Sequence, residues 1–355
     1  MSKRAVIAMS GGVDSSVAAL LLKRQGFDCI GITMKLYDNE DIGILREKTC
    51  CSLSDVEDAR GVAALLGMPF YVFNFGEEFQ QEVMDRFVKE YEAGRTPNPC
   101  IECNRYMKFD RLLEKARMLG FDYVATGHYA RIEEKDGRFL LKKARDLTKD
   151  QTYMLYSLSQ YQLSHALFPL GTYEKEETRA LAEENGMVNA RKRDSQDICF
   201  VQTGSYADFI ERYTGKTWPE GDFVDTSGKV LGRHKGVIRY TVGQRKGLGL
   251  ALPEPMYVKE LDLENNRVIL CRNDELFTDT VTVKKINLIP WDSLPGKIRC
   301  QAKIRYSQTA SPAWAEQTGE DTLVLHFDQP QRAVTSGQAA VLYDDDLVIG
   351  GGTIV

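Results

Sequence analysis

The sequence contains no apolar run of 18 residues, the minimum for a membrane-crossing helix. Its first residues show no basic n-region followed by an apolar h-region, so a soluble, untargeted, cytoplasmic protein without membrane attachment is expected. It also lacks a surplus of positive charge: 46 Lys and Arg face 51 Asp and Glu, for a net charge of −5. That balance disfavours nucleic-acid binding driven by whole-chain charge. No long-period repeat and no low-complexity tract occurs. The eight cysteines, at 29, 50, 51, 100, 103, 199, 271 and 300, are scattered and lack the pattern of a disulfide scaffold. Thiols in a reducing cytosol, some of them reduced or metal-bound, fit better.

A further absence is local. Residues 5–22 read AVIAMSGGVDSSVAALLL: a short apolar run, a glycine pair at Gly11 and Gly12, then Val17, Leu20 and Leu21 at helical spacing. Strand, loop and helix follow in that order, and helix-start amides suit oxyanions. The loop lacks the Lys of G-x-x-x-x-G-K-[ST], so it is not the ordinary P-loop. It carries Asp14 instead. A carboxylate there is tolerable if Mg²⁺ stands between it and phosphate; the plainer alternative is that Asp14 caps the helix or favours its dipole.

At 355 residues with 43% hydrophobic content, two or three domains are expected. Up to about Asp197, strands suggested at 29–34, 70–73 and 123–126 alternate with helical patterns, which predicts an α/β domain built on a parallel sheet. Ligands then belong at the carboxyl ends of the strands, with residues 10–15, Met34 and Thr126-Gly127-His128. After about Gly204, short alternating segments and turns predict antiparallel hairpins closing into small barrels. The expected division is 1–204, a catalytic α/β domain; 205–272, a small central β domain; and 273–355, a C-terminal β-barrel.

Basic residues gather locally in LLKKAR (Lys142, Lys143, Arg145), ARKRD (Arg191, Lys192, Arg193), GQRKG (Arg245, Lys246) and KIRY (Lys303, Arg305). Each alone reads as a solvated face; together they can track phosphates, since nucleic-acid affinity follows local charge. In GRTPNPCIECNRYMKF, two prolines deliver Cys100 and Cys103 to a helix expected to begin near Asn104. A thiol there, near Arg95 or Arg105, should have a lowered pKa. The C-x-x-C pair suits a dithiol, half a zinc site or part of an iron–sulfur site. Cys199, in RDSQDICFV, is a lone cysteine with apolar neighbours, a type more often buried in a core than catalytic, but Arg193, Asp194, Ser195 and Asp197 are not core company. Cys29, Cys271 and Cys300, within apparent strands, read as core.

SGGVDSS resembles the signature loop of the PP-loop ATP pyrophosphatase superfamily, whose members cleave ATP between the α and β phosphates. SGGVDSS, MKLY, GRTPNPC, CN…KF, ATGHYA, KDQTY, FPLG, DSQDICF, TVGQRKGLG and VTSGQAAVLY occur in the order found in its tRNA-specific 2-thiouridylase MnmA family, over nearly the whole chain. The resemblance implies a sulfurtransferase that uses ATP to adenylate the C2 oxygen of a tRNA wobble uridine and then replaces it with sulfur. By motif, Ala8, Met9, Ser10, Gly11, Gly12, Val13, Asp14 and Ser15 match the ATP loop, with Met34 and Gly127 lining the nucleotide and Mg²⁺ bound through ATP at Asp14. Cys199 matches the persulfide carrier and Cys103 the nucleophile that releases it as a disulfide. Asn98, Pro99 and Cys100 match the segment facing the target base. His128, Lys149, Asp150, Gln151, Arg305, Tyr306 and Gln338 match tRNA-contacting positions. A tRNA, a sulfur-donor protein or sulfide source, and a monomeric enzyme complete the expectation.

One position departs from the pattern: Cys100 stands where the familiar persulfide-using members have Asp. With Cys50-Cys51 it marks a cysteine-rich subgroup, and Cys100, Cys103 and Cys199 could hold a [4Fe-4S] cluster with one iron open for sulfide, Zn²⁺ being a weaker fit. Persulfide relay and cluster-bound sulfide both remain open. Two other readings compete: a non-catalytic tRNA-binding protein, and a PP-loop ligase or amidotransferase acting on a small molecule. The second struggles to explain Cys103 with Cys199 and the β-rich tail.

Overall fold

The computed structural model describes residues 2–38, 53–193, 198–202 and 204–355. Cys50, Cys51, Asp194, Ser195 and Asp197 lie outside them. The chain divides into two compact units: Met1–Asp85, Pro99–Gln202 and Asp345–Gly350 in one, and Arg86–Asn98, Thr203–Asp344 and Gly351–Val355 in the other.

The first unit is built on a five-stranded sheet of β1 (Arg4–Ala8), β2 (Asp28–Lys35), β3 (Phe70–Asn74), β4 (Tyr123–Ala125) and β7 (Ala166–Leu167), in the order β3-β2-β1-β4-β7. Every pairing is parallel. Helices α1 (Val13–Arg24) and α2 (Leu53–Leu65) bury Val17, Ala18, Leu21, Ala59 and Val62 against Ile7 and Cys29. Small residues on both helices let them sit close to the strands. The strand order reverses between β1 and β4, so their carboxyl ends diverge and leave a crevice where the loop after β1 lies. The unit also contains the hairpin of β5 (Ala130–Lys135) and β6 (Arg138–Lys143), antiparallel from Ala130↔Lys143 to Lys135↔Arg138.

The helix carrying Cys100 and Cys103 starts earlier than expected. It opens at Pro99, runs as Pro99–Glu102, continues as π-helix over Cys103–Arg111 and ends as Leu112–Met118. Pro99 is the reason: its fixed φ is pre-organised for a first helical position, where no N–H is needed. Both cysteines therefore lie within the helix, three residues apart.

In the second unit, β8 (Gly221–Asp225), β9 (Val230–His234), β10 (Tyr257–Asp262) and β11 (Arg267–Cys271) form a sheet ordered β10-β11-β8-β9. Hairpins were expected throughout, yet β8 and β11 pair in parallel. The 22 residues from 235 to 256 between β9 and β10 supply the long connection that a parallel pair requires. A helix, Tyr206–Thr214, precedes this sheet, its N-terminus closed by reciprocal bonds of Ser205 and Asp208. The C-terminal barrel consists of β12 (Phe277–Leu288), β13 (Ile298–Lys303), β14 (Ser311–Gly319), β15 (Thr322–Arg332), β16 (Ala339–Asp344) and β17 (Leu347–Ile354), and β12 pairs with β17 to close it. Cys29, Cys271 and Cys300 are buried in strands, where desolvation pushes the Cys29 thiol to about 11 and Cys300 to about 12. They are core residues.

Candidate active site

Ala8 ends β1, and residues 9–12 turn into α1. Gly11 holds φ +75°, and a Cβ on it would stand 2.3 Å from the Asp55 carbonyl oxygen, so no other residue fits. Ser15 accepts from the Ser10 amide at 3.3 Å and donates to the Gly12 carbonyl at 3.0 Å, while Thr33 of β2 donates to the Met9 carbonyl at 2.7 Å. These bonds set the loop's shape before any ligand arrives. Met34, half-buried, lies at the carboxyl end of β2, just beyond the Ala8↔Ile32 pairing. Gly127 follows β4, and a Cβ there would come within 2.7 Å of the Asp14 carbonyl carbon and the Ser15 nitrogen. The chain after β4 thus lies directly on the first turn of α1, as the crevice geometry requires.

Asp14 does not cap α1: the N-cap is Gly12, with no side-chain bond to the helix start. Both Asp14 carboxylate oxygens instead accept from Lys175 Nζ at 2.8 Å, and Oδ1 also accepts from the Tyr129 hydroxyl at 3.0 Å. That hydroxyl stands 3.0 Å from Thr178 Oγ1. Lys175 is the first residue of the helix Lys175–Glu184 and is buried. Sequence reasoning missed it. The available signal was a lysine at a helix N-terminus, where the dipole opposes a cation.

Lys192 also departs from expectation. Within ARKRD it counted toward a phosphate-tracking surface, but its ammonium turns inward to Asp55 Oδ1 at 2.5 Å, Asp58 Oδ2 at 2.6 Å and the Gly11 carbonyl at 3.2 Å. Asn189 donates to the same Gly11 carbonyl at 2.9 Å and to Ser16 Oγ at 2.9 Å. The segment leading toward Cys199 is therefore fastened to the glycine loop. Lys142 and Arg145 are likewise paired with acids of their own unit. Arg245 and Lys246 are exposed, and Arg245 borders an open cavity of about 310 Å³ lined by Leu248, Leu252 and Met256.

Cys199 is half-buried. Its carbonyl accepts from the Tyr37 hydroxyl at 2.6 Å and from Gln202 Nε2 at 2.8 Å. The neighbouring Phe200 is buried edge-on against Phe79, which also packs on Tyr37. The backbone is anchored at the Cys199 carbonyl and at the residue that follows. Cys100 is exposed and Cys103 half-buried. Asn104, buried, donates to the Met154 carbonyl at 3.1 Å and accepts from Lys108 Nζ at 2.9 Å, and Phe109 is fully buried. The spacing CN…KF is thus the set of bonds that locks the helix bearing Cys103. Among the described residues, no three His, Cys, Asp or Glu side chains are gathered as a metal ion would need. Cys100, Cys103 and Cys199 do not converge as a ligand set, and Asp14 offers its carboxylate to an ammonium.

His128 is buried, its Nδ1 2.7 Å from Thr126 Oγ1 and its ring between Phe109 and Phe168. Burial, reinforced by Lys108, drives its pKa well below 6.5, so the ring is neutral. NMR should show no His128 titration from about pH 6 to 8. Because only the unfolded chain then takes up this proton, stability contributed here is present above about pH 6.5 and declines below it. A His128 signal titrating near its ordinary value would overturn that environment.

Asp150 accepts from the Ala144 amide at 3.0 Å and the Thr152 hydroxyl at 2.6 Å, and Gln151 Oε1 accepts from the Tyr129 amide at 2.9 Å. Gln151 thus braces the Gly127–Tyr129 segment, and Lys149 nearby in the chain is half-buried. In the second unit, Arg305 donates to Thr335 Oγ1 at 2.9 Å and to the Ala333 carbonyl. Tyr306 is exposed, with Lys303 Nζ 5.7 Å from its ring centre. Gln338 donates to the Thr96 carbonyl at 2.8 Å and the Thr96 amide to the Ser336 carbonyl at 2.9 Å, which braces the approach to half-buried Asn98. Arg95 is not available to a thiolate: Glu90 holds its guanidinium at 2.5 and 2.9 Å.

Three family models match consecutive stretches. They are described as the tRNA methyl transferase HUP domain over residues 3–203, the tRNA methyl transferase PRC-barrel domain over 207–272, and the aminomethyltransferase beta-barrel domain over 278–354. The tRNA-specific 2-thiouridylase MnmA of Clostridioides difficile (strain 630) is 53% identical, covering 100% of this chain and 98% of that protein. The protein of the same name from Lachnoclostridium phytofermentans is 52% identical, covering 99% of each. That of Clostridium acetobutylicum is 49% identical and covers both chains completely.

Proposed function

The chain belongs to the tRNA-specific 2-thiouridylase MnmA family, and on that premise we propose that it converts the wobble uridine of tRNA to 2-thiouridine at the expense of ATP. The observation that carries the reading is the loop at residues 9–15, shaped in advance and laid at the strand-order reversal of a parallel sheet, where nucleotide phosphates bind. The position of Met34 at the end of β2 and of Gly127 against the first turn of α1 supports the reading that both line the nucleotide. With the division at 1–204, 205–272 and 273–355, the first domain carries the chemistry and part of the tRNA contact, and the two β domains add to the grip on tRNA. Asn98, Pro99 and Cys100 face the target base, while His128, Lys149, Asp150, Gln151, Arg305, Tyr306 and Gln338 contact or brace the surface that holds tRNA. Exposed Tyr306 with Lys303 suits stacking on a base beside a phosphate.

The uridine C2 oxygen attacks the α-phosphorus, the bond to the β-phosphate breaks, and pyrophosphate leaves. The C2 carbon then carries a leaving group, AMP. The terminal sulfur of a Cys199 persulfide attacks C2 and AMP departs with its oxygen. The Cys103 thiolate next attacks the Cys199 sulfur, forms a Cys103–Cys199 disulfide and expels the sulfur now bonded to C2. An external thiol reduces that disulfide, and a sulfur-donor protein that itself carries a persulfide reloads Cys199, whose thiolate attacks the donor's outer sulfur and releases the donor's thiol. The anchored Cys199 backbone supports this role. No step is derived through a [4Fe-4S] cluster, because the described residues do not gather its ligands, nor through Mg²⁺ at Asp14, whose carboxylate is held by Lys175.

The test is incubation of unmodified tRNA with the enzyme, ATP, a thiol and a persulfide donor, read by mass spectrometry of the nucleosides. ATP-dependent 2-thiouridine is expected. ATP-dependent modification of a small molecule with tRNA untouched would favour the ligase alternative, and tRNA binding without ATP turnover the binding-protein alternative.

A further inference from the structure

We infer that Lys175 is the phosphate-facing cation of the glycine loop and binds the two phosphates of ATP that leave as pyrophosphate, an assignment that rests on the ATP reading above. The loop has no lysine of its own, yet an ammonium stands in it, delivered from a residue 161 positions away in the chain. Lys175 opens the helix Lys175–Glu184, where the dipole disfavours a cation, so helix stability does not account for it. Nor does general stability: a buried ion pair is often no more stabilising than an apolar pair of the same volume. Its side chain is 9% exposed against 29% for Asp14, so the ammonium rests sheltered behind the carboxylate and meets an anion by turning past it.

The surroundings hold the ammonium at the start of α1. The Lys175 amide donates to Asp146 Oδ2 at 3.1 Å, and Nζ lies 5.8 Å from the centre of the Tyr129 ring. The Tyr129 hydroxyl donates to Asp14, so Asp14 keeps a partner when Lys175 turns toward an anion. Lys192, the other ammonium at the loop, is held by two carboxylates and the Gly11 carbonyl. Asp14 alone would repel phosphate; paired with Lys175 the site is neutral, and the ammonium supplies the attraction. Asp14 is then the residue that positions this lysine, which explains a carboxylate where phosphate belongs.

The discriminating measurement compares ATP with AMP, which lacks the leaving phosphates. In calorimetric titrations, Lys175→Gln is expected to weaken ATP at least about tenfold, or about 1.4 kcal/mol, and AMP less than about twofold. Equal weakening of both, or of neither, overturns the assignment. Wild-type protein that binds neither nucleotide overturns the ATP reading instead. Should Lys175→Gln not fold, the wild-type Lys175 ¹⁵Nζ resonance decides: it is expected to shift with ATP and with inorganic pyrophosphate but not with AMP, and a resonance indifferent to pyrophosphate overturns the assignment.

Discussion

Cys199→Ser is expected to remove tRNA thiolation by at least about 1,000-fold while pyrophosphate release on adding tRNA and ATP survives. The hydroxyl cannot carry a transferable sulfur, but Tyr37 and Gln202 grip the backbone carbonyl and Phe200 anchors the next side chain, so the substitution leaves the local structure in place. The loss is then chemical. Cys103→Ser should behave differently: adenylation and the first attack proceed, but nothing expels the new sulfur, and tRNA accumulates in a disulfide link to Cys199 that added thiol releases. Cys100→Ala should retain activity within about threefold, because the relay uses only two thiols. Anaerobically purified protein in which Cys100→Ala removes iron, sulfide and activity together would sink the relay and restore the cluster reading.

How much of this was legible in the sequence depended on the range of the interactions involved. The loop after β1 was readable because its determinants are neighbours: an apolar strand, glycines able to take φ +75°, and helical spacing immediately after. Lys175 was not, because its contact with Asp14 is made by the fold alone. The inward turn of Lys192 was hidden for the same reason, since Asp55 and Asp58 lie more than 130 residues away. The β8–β11 pairing also depends on a long connection that local alternation does not register. Two misses were avoidable. Asp136-Gly137, both at positive φ, join β5 to β6 as a tight hairpin turn, and Asp-Gly between alternating apolar residues is a strong local hairpin signal. Ser205 with Asp208 announced the helix after Gly204. The Cys103 site was legible as motif but not as mechanism of placement; the buried bonds of Asn104 and Lys108 supply that.

Asp14→Asn tests the loop's electrostatics most severely. The substitution keeps the shape of the side chain and removes one charge, leaving the Lys175 ammonium buried without its carboxylate. Breaking such a pair from one side typically costs about 3 to 5 kcal/mol; because Asp14 is 29% exposed and water can replace part of its role, about 2 kcal/mol is expected, a fall of about 4 to 8 °C in the unfolding midpoint. Pyrophosphate release should fall at least about 100-fold, since the lysine is no longer held toward the phosphates. The binding-protein alternative makes the opposite claim, with every function surviving the change. A second variant separates stability from chemistry. Asp14→Asn combined with Lys175→Met buries no unpaired charge, so it should recover most of the lost stability while remaining inactive. If instead the double variant regained pyrophosphate release, the charges of this pair would have no part in the reaction, and the loop would work by backbone amides alone.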